Sequence, residues 1–300
     1  MSLLALHGVP APAKLNLFLH VTGRREDGYH LLQSLFVLID WADRLDFTRR
    51  DDGRLERIDL GPPLPPEDLC LRAARALQAA AGCRFGATIG VHKRVPSGAG
   101  LGGGSSDAAT VLLALNRLWG LHWPRPRLAE IGATLGADVP FFVGGHNAWV
   151  EGIGERLVPL IVPVATYAVV HPGAALATAD VFRHPGLDRS VPPHILAGFL
   201  GNEPDPAASA LAEGTNSLQP VAETICPAVR FARHWLDERF GAAGPLAASR
   251  MTGSGSAVFT RIGAGALPSA TFPQAELPAG WSGRLCRSLE AHPLAGWAEG

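Results

Sequence analysis

Residues 96–110 read Pro96-Ser97-Gly98-Ala99-Gly100-Leu101-Gly102-Gly103-Gly104-Ser105-Ser106-Asp107-Ala108-Ala109-Thr110, with five glycines between Gly98 and Gly104. Alternating apolar residues lead in: Ala87, Ile89, Val91 and Val95. Ala109, Leu112, Leu113 and Asn116 follow at helical spacing. The pattern predicts a strand, a glycine loop and a helix N-terminus. Bare backbone N–H groups and the positive helix end make such a turn an anion site, which points to phosphate chemistry.

Two common phosphate loops do not fit. A Walker-type loop carries Lys and Ser/Thr directly after its last glycine, whereas Gly104 precedes Ser105 and no lysine follows Lys93. Gly98, Gly100 and Gly103 satisfy G-x-G-x-x-G formally. That dinucleotide fingerprint expects an acid about twenty residues on, and none lies between Ala108 and Ala129. A flexible linker is the bland alternative, but linkers are seldom bounded so closely by strand and helix patterns.

Around this loop the chain runs to 300 residues, 47% of them apolar, enough for two ordinary domains or one large one. The net charge of -1 offers neither the basic excess that marks a nucleic-acid partner nor an acidic tail. The apolar run from Leu157 to Val170 is short for a membrane span and is broken by Pro159 and Pro163. No secretion signal is evident at the start. Cys70, Cys83, Cys226 and Cys286 form no C-x-x-C pair, which suits free thiols in the cytoplasm.

Strands are expected over Leu15–Val21, Leu31–Ile39 and Arg44–Thr48, then a helix capped near Asp68 and stopped by Gly82. Arg127–Leu135 reads as a short helix, Gly144–Arg156 as a hairpin, Glu223–Phe240 as a helix and Leu277–Cys286 as a last strand. Only Lys14 and Lys93 are lysines among 26 basic residues. Where arginine is the default, a lysine suggests a place needing a compact point charge. Alternation puts Leu15, Leu17 and Leu19 on one face of the first strand, and Lys14, Asn16 and Phe18 on the other. That second face is either a solvated edge or a lysine and an asparagine pointing into a cleft. Asp138 stands in Gly136-Ala137-Asp138-Val139-Pro140-Phe141-Phe142. A carboxylate in so apolar a setting is either a catalytic group or a helix cap. Thr252-Gly253-Ser254-Gly255-Ser256 is a second glycine loop, or a tight hairpin.

Pro12 to Leu17, Pro96 to Thr110 and Gly136 to Phe142, supported by Arg24 to His30, Thr178 to Phe182 and Met251 to Ser256, resemble the GHMP kinase superfamily in this order along the whole chain. The glycine loop alone marks only the superfamily. The Lys-Leu-Asn, Gly-Tyr-His and Ala-Asp-Val-Pro-Phe-Phe segments resemble its branch acting on a cytidine-diphosphate-linked polyol, a step of non-mevalonate isoprenoid synthesis.

The resemblance implies an α+β, two-domain fold: an ATP-binding domain over 1–155, like the second domain of ribosomal protein S5, and a ferredoxin-like domain over 156–300 contributing to substrate binding. It implies transfer of phosphate from ATP, with Mg²⁺ expected, to a tertiary hydroxyl. Asp138 would take or orient the hydroxyl proton and Lys14 would hold Asp138 and the developing charge. Asn16 would anchor the polyol or diphosphate. Tyr29 and Phe182 would sandwich the cytosine and His30 would bond its edge. Pro96, Gly98, Gly100, Leu101, Gly102, Gly103, Gly104, Ser105 and Ser106 would surround ATP. Metal ligands are left open, with Ser106 a candidate for metal or phosphate. The implied protein is a cytoplasmic monomer or homodimer without nucleic-acid or membrane partners. Two departures stand out: Asp68-Leu69 replaces the family's frequent Asn-Leu near the adenine, and Asn216-Ser217-Leu218-Gln219 replaces Asn-Asp-Leu-Glu. Two rivals remain: a homoserine- or mevalonate-type kinase, whose substrates have no base for Tyr29 and His30, and a nucleotide-binding regulator without catalysis.

Overall fold

The computed structural model describes residues 3–194, 204–240, 248–263 and 272–299. The long antiparallel pair β1 (Ala5–Arg24) and β2 (His30–Arg50) forms the spine of the first sheet. Strands β3 (Leu55–Asp59), β4 (Gly86–His92), β5 (Ala148–Glu151) and β6 (Arg156–Pro159) complete it in the order β3-β4-β2-β5-β6, with β1 paired to β2. Helices α1 (Leu69–Ala81), α2 (Gly103–Leu118), α3 (Arg125–Leu135) and the short α4 (Val139–Gly144) belong to this half. The second sheet is antiparallel: β7 (Thr166–His171), β8 (Arg250–Met251), β9 (Val258–Ile262) and β10 (Ser282–Arg287) in the order β10-β7-β9-β8. That is the fourth-first-third-second order of a ferredoxin-like sheet, as expected. Its helices are α5 (Thr178–Arg183), α6 (Pro206–Glu213), α7 (Gln219–Ile225) and α8 (Pro227–Phe240).

Strand β2 shows why the layers stack as they do. Phe36 and Leu38 point into a core with Leu77 of α1 and Leu112 of α2. Leu35, Val37 and Ile39 point the other way, into a core shared with Tyr167 and Phe259 of the second sheet. Both faces are covered, so the strand reads as a continuous apolar run. A third core sets Val170 and Val258 against Val229 and Leu236 of α8. The order is helices, sheet, sheet, helices.

Four expectations need correction. Glu223–Phe240 is not one helix: α7 ends at Ile225 and α8 starts at Pro227, which lacks the N–H to continue the ladder. The segments Leu31–Ile39 and Arg44–Thr48 are one strand, because the acids between them are paired: Asp40 accepts from the Arg287 N–H at 3.0 Å and Asp43 from the Val95 N–H at 2.8 Å. Phe18 does not share the face of Lys14 and Asn16. A register shift between Asn16 and Leu19 turns it into the inter-sheet core, as an extra residue in a ladder does. The first sheet also runs past residue 155, since β6 pairs with β5, and the chain returns to it at the end, where Ser288 bridges Ile39 and Ala291 bridges His146. No helix among the described residues is long and apolar enough to cross a membrane.

Candidate active site

The loop after β4 rises over a cleft of about 890 Å³, within the usual range for a small-molecule site. Gly100 has φ +75°, and a Cβ there would lie 2.2 Å from the carbonyl oxygen of Thr252. Gly102 has φ +71°, and a Cβ would meet the Phe142 ring at 2.9 Å and Lys14 Cε at 3.2 Å. Glycine is required at both on two grounds, backbone sign and space. The first loop thereby lies against the second, where the Ala257 N–H donates to Ala99 O at 3.0 Å. Gly102 is also the N-cap of α2 and supplies no side chain, so the N–H groups of Gly103, Gly104 and Ser105 have no partner within the helix.

Pro96, Gly98, Gly100, Leu101, Gly102, Gly103, Gly104 and Ser105 all line the cleft. Ser106 does not. It is fully buried, and its Oγ donates to Pro12 O at 2.6 Å while its N–H bonds Gly102 O at 2.9 Å. It ties the helix start to β1 and is not positioned to hold phosphate or metal.

Lys14 and Asp138 meet on the cleft wall, with Nζ 3.6 Å from Oδ2. The ammonium also donates to Asn16 Oδ1 and lies 4.7 Å from the centre of the Phe36 ring. Burial lowers the Lys14 pKa, and Asp138 opposes that shift. Asp138 occupies the N-cap position of α4 but makes no capping bond. Its carboxylate is 30% exposed, so it faces the cleft and not the helix. Asn16 lines the cleft; its Oδ1 accepts from Lys14 and its Nδ2 donates one hydrogen to Ser34 Oγ at 3.0 Å.

Tyr29, His30 and Phe182 line one end of the same cleft. Phe182 packs on His30, with ring centroids 5.1 Å apart, while Tyr29 stands 61% exposed. Asp68 and Lys93 also line the cleft. Asp68 caps α1 through the Leu71 N–H at 3.1 Å and pairs with Arg57 at 2.8 Å. Lys93 sits between Asp43 and Asp107, donating to both, at 2.6 Å in the case of Asp107. Asn216 holds the second loop by donating to Met251 O and Gly253 O at 2.8 and 2.9 Å. That is a structural use for the segment that lost two acids.

Sequence reasoning passed over the Asp43–Lys93–Asp107 cluster and Arg189, whose Nε donates to His30 Nε2 at 3.0 Å. The scarcity of lysine was a usable signal for Lys93. Nothing local announces Arg189.

Glycine loop, open helix end and ammonium–carboxylate pair in one cleft define a small-molecule kinase, and the model of the GHMP kinases N terminal domain matches residues 68–146. A 4-diphosphocytidyl-2-C-methyl-D-erythritol kinase of Methylibium petroleiphilum is 57% identical over 99% of this chain and its own full length. A crystal structure of 4-(cytidine 5'-diphospho)-2C-methyl-D-erythritol kinase, 35% identical, superposes with a TM-score of 0.69 over 92% of this chain and 98% of that one. Homoserine kinase from Cytophaga hutchinsonii, 16% identical with a TM-score of 0.64 over 96% of this chain and 95% of its own, shares the fold. The chain belongs to the 4-diphosphocytidyl-2-C-methyl-D-erythritol kinase family of the GHMP kinases. The expected α+β GHMP kinase fold is the observed one.

Proposed function

We propose that this chain transfers the γ-phosphoryl group of ATP to the tertiary 2-hydroxyl of 4-diphosphocytidyl-2-C-methyl-D-erythritol, a step toward isoprenoid precursors. The observation that carries the reading is the 3.6 Å approach of Lys14 Nζ to Asp138 in a cleft that the glycine loop, Tyr29, His30 and Phe182 also line. The family names the reaction, and this geometry supports it.

Phosphoryl transfer passes through a loose transition state, so positioning and charge neutralisation dominate. The substrate oxygen bonds the γ-phosphorus as the bridging bond to ADP breaks. A tertiary alcohol does not ionise beforehand, so Asp138 orients the hydroxyl and accepts its proton late. Lys14, 3.6 Å from Asp138 and held by Asn16, offers positive charge to the transferring group. Loop amides and the α2 terminus receive the ATP phosphates. Mg²⁺ would enter with ATP and neutralise phosphate charge. The four free thiols suit a reducing cytoplasm, and the reading takes the protein as a monomer or homodimer.

A coupled assay with ATP and the cytidyl substrate, homoserine or mevalonate tests the reading. Turnover of the cytidyl substrate alone is expected. Turnover of either smaller alcohol, with none of the cytidyl substrate, overturns it.

A further inference from the structure

Arg189 lies 159 residues from His30 in sequence, yet its Nε donates to His30 Nε2 at 3.0 Å. The rest of its guanidinium is anchored by backbone carbonyls. One terminal nitrogen donates to Leu187 O at 3.0 Å, and the other to Phe182 O and His184 O at 3.1 Å each. The group therefore cannot swing away without losing three further bonds. A guanidinium has donors only. The hydrogen in the Arg189–His30 bond must belong to arginine, so His30 Nε2 must carry a lone pair. The imidazole is then neutral, with its proton on Nδ1.

The surroundings favour that state. Arg24, Arg183 and Arg189 line a small cavity of about 270 Å³ at this ring, on the side of Phe182. Burial first, then the charges of Arg189 and Arg24, lower the His30 pKa. Among the described residues no carboxylate is hydrogen-bonded or ion-paired to His30 to oppose them. His30 lines the cleft, and Nδ1 is its donor nitrogen.

We propose that Arg189 is a positioning residue that makes His30 a donor at Nδ1, and that this donor selects cytosine over uracil at the base end of the cleft. The inference rests on the substrate reading above. Cytosine N3 is a lone-pair acceptor, whereas uracil N3 carries a hydrogen. A fixed Nδ1–H aimed at N3 is satisfied by the first base and opposed by the second. A histidine free to move its proton to Nε2 would accept either.

Two measurements test this. The first uses the unchanged protein with ¹⁵N-labelled histidine, the His30 signals being assigned by difference with His30→Gln. Protonated Nδ1 and unprotonated Nε2 are expected, and the reverse tautomer overturns the proposal whatever the substrate. The second compares kcat and KM of the unchanged enzyme, Arg189→Met and Arg189→Lys, on the cytidyl substrate and its uridyl counterpart, at about pH 5.5 to 8.5, a range centred near the ordinary histidine pKa. Arg189→Met should lower the cytidine-over-uridine preference in kcat/KM by about tenfold or more, through KM, as the cost of one mismatched hydrogen bond predicts. Its KM for the cytidyl substrate should depend on pH more steeply toward the acid end of that range, where an imidazole freed of Arg189 gains its second proton more readily, while that of the unchanged enzyme stays flatter. Arg189→Lys, which keeps a donor, should recover part of the preference. Unaltered preference and pH profile in Arg189→Met overturn the proposal if the unchanged enzyme turns over the cytidyl substrate. An unchanged enzyme that does not turn it over refutes the substrate reading instead, and the tautomer measurement still decides on Arg189.

Discussion

The chain's two lysines are almost equally buried, with side chains 4% exposed at Lys14 and 10% at Lys93, yet they are partnered in opposite ways. Lys93 donates to two carboxylates, Asp43 and Asp107, and their attraction outweighs burial and raises its pKa. Lys14 has a neutral amide oxygen, an aromatic face and one carboxylate 3.6 Å away, and burial wins, lowering its pKa. Over-compensated charge is typical of a group that braces structure. Under-compensated charge beside an open cleft leaves attraction to spare for a substrate. The same residue type, chosen twice in an arginine-rich chain, is a strut in one place and, on the proposed mechanism, a reagent in the other.

Breaking the reactive end should give the largest effect. Asp138→Asn keeps the shape but neither ionises nor accepts the proton, and kcat should fall by roughly 10²–10⁴-fold with ATP affinity kept. A near-normal rate would remove Asp138 from the mechanism. Lys14→Met should lose turnover on a similar scale while thermal stability holds or rises, because the folded state no longer buries an ammonium that burial disfavours. Lys93→Met should do the reverse. It leaves Asp43 and Asp107 buried without their shared cation, a loss of about 3–5 kcal/mol in chemical denaturation. A stable Lys93→Met protein that had lost turnover would place Lys93 in the chemistry and collapse the contrast.

The two ends also differed in how far the sequence revealed them. The glycine loop was legible because its cause is local: φ signs and close backbone approach at Gly100 and Gly102 demand glycine wherever the loop goes. Asp138 was legible only as an acid beside Val139-Pro140-Phe141-Phe142 that is either a cap or a site group, and its place on the cleft without a capping bond is what separates the two. What closes the site is not local. Asp43 meets Lys93 across fifty residues, and the acids that interrupt β2 read as a gap between strands until their partners are known. Phe18 was misplaced because a bulge changes which face a residue takes while alternation assumes none. Ser106 looks like every other polar residue of the loop, and only the approach of Pro12 O shows that its hydroxyl is already used.

The subtlest test reads the strut by its pH response. One ammonium cannot fully compensate two buried carboxylates. Burial first, with Lys93 opposing and Asp43 adding to the effect, pushes the Asp107 pKa up to about 7. The unfolded value is about 3.9. A carboxyl whose folded pKa is raised holds its proton better in the folded state. Its favourable contribution is therefore full below about pH 3.9 and fades as pH rises toward the folded pKa of about 7. Asp107→Asn removes that titration and keeps an acceptor for Lys93. Between about pH 5 and 8 the unchanged protein should lose about 1–3 kcal/mol that the variant does not lose, so the stability difference should move toward the variant as pH rises and level off above about pH 7. Denaturation curves at a series of pH values would show this. A difference independent of pH would mean that Lys93 holds Asp107 ionised throughout, making the cluster a fully compensated strut and the contrast with Lys14 sharper still.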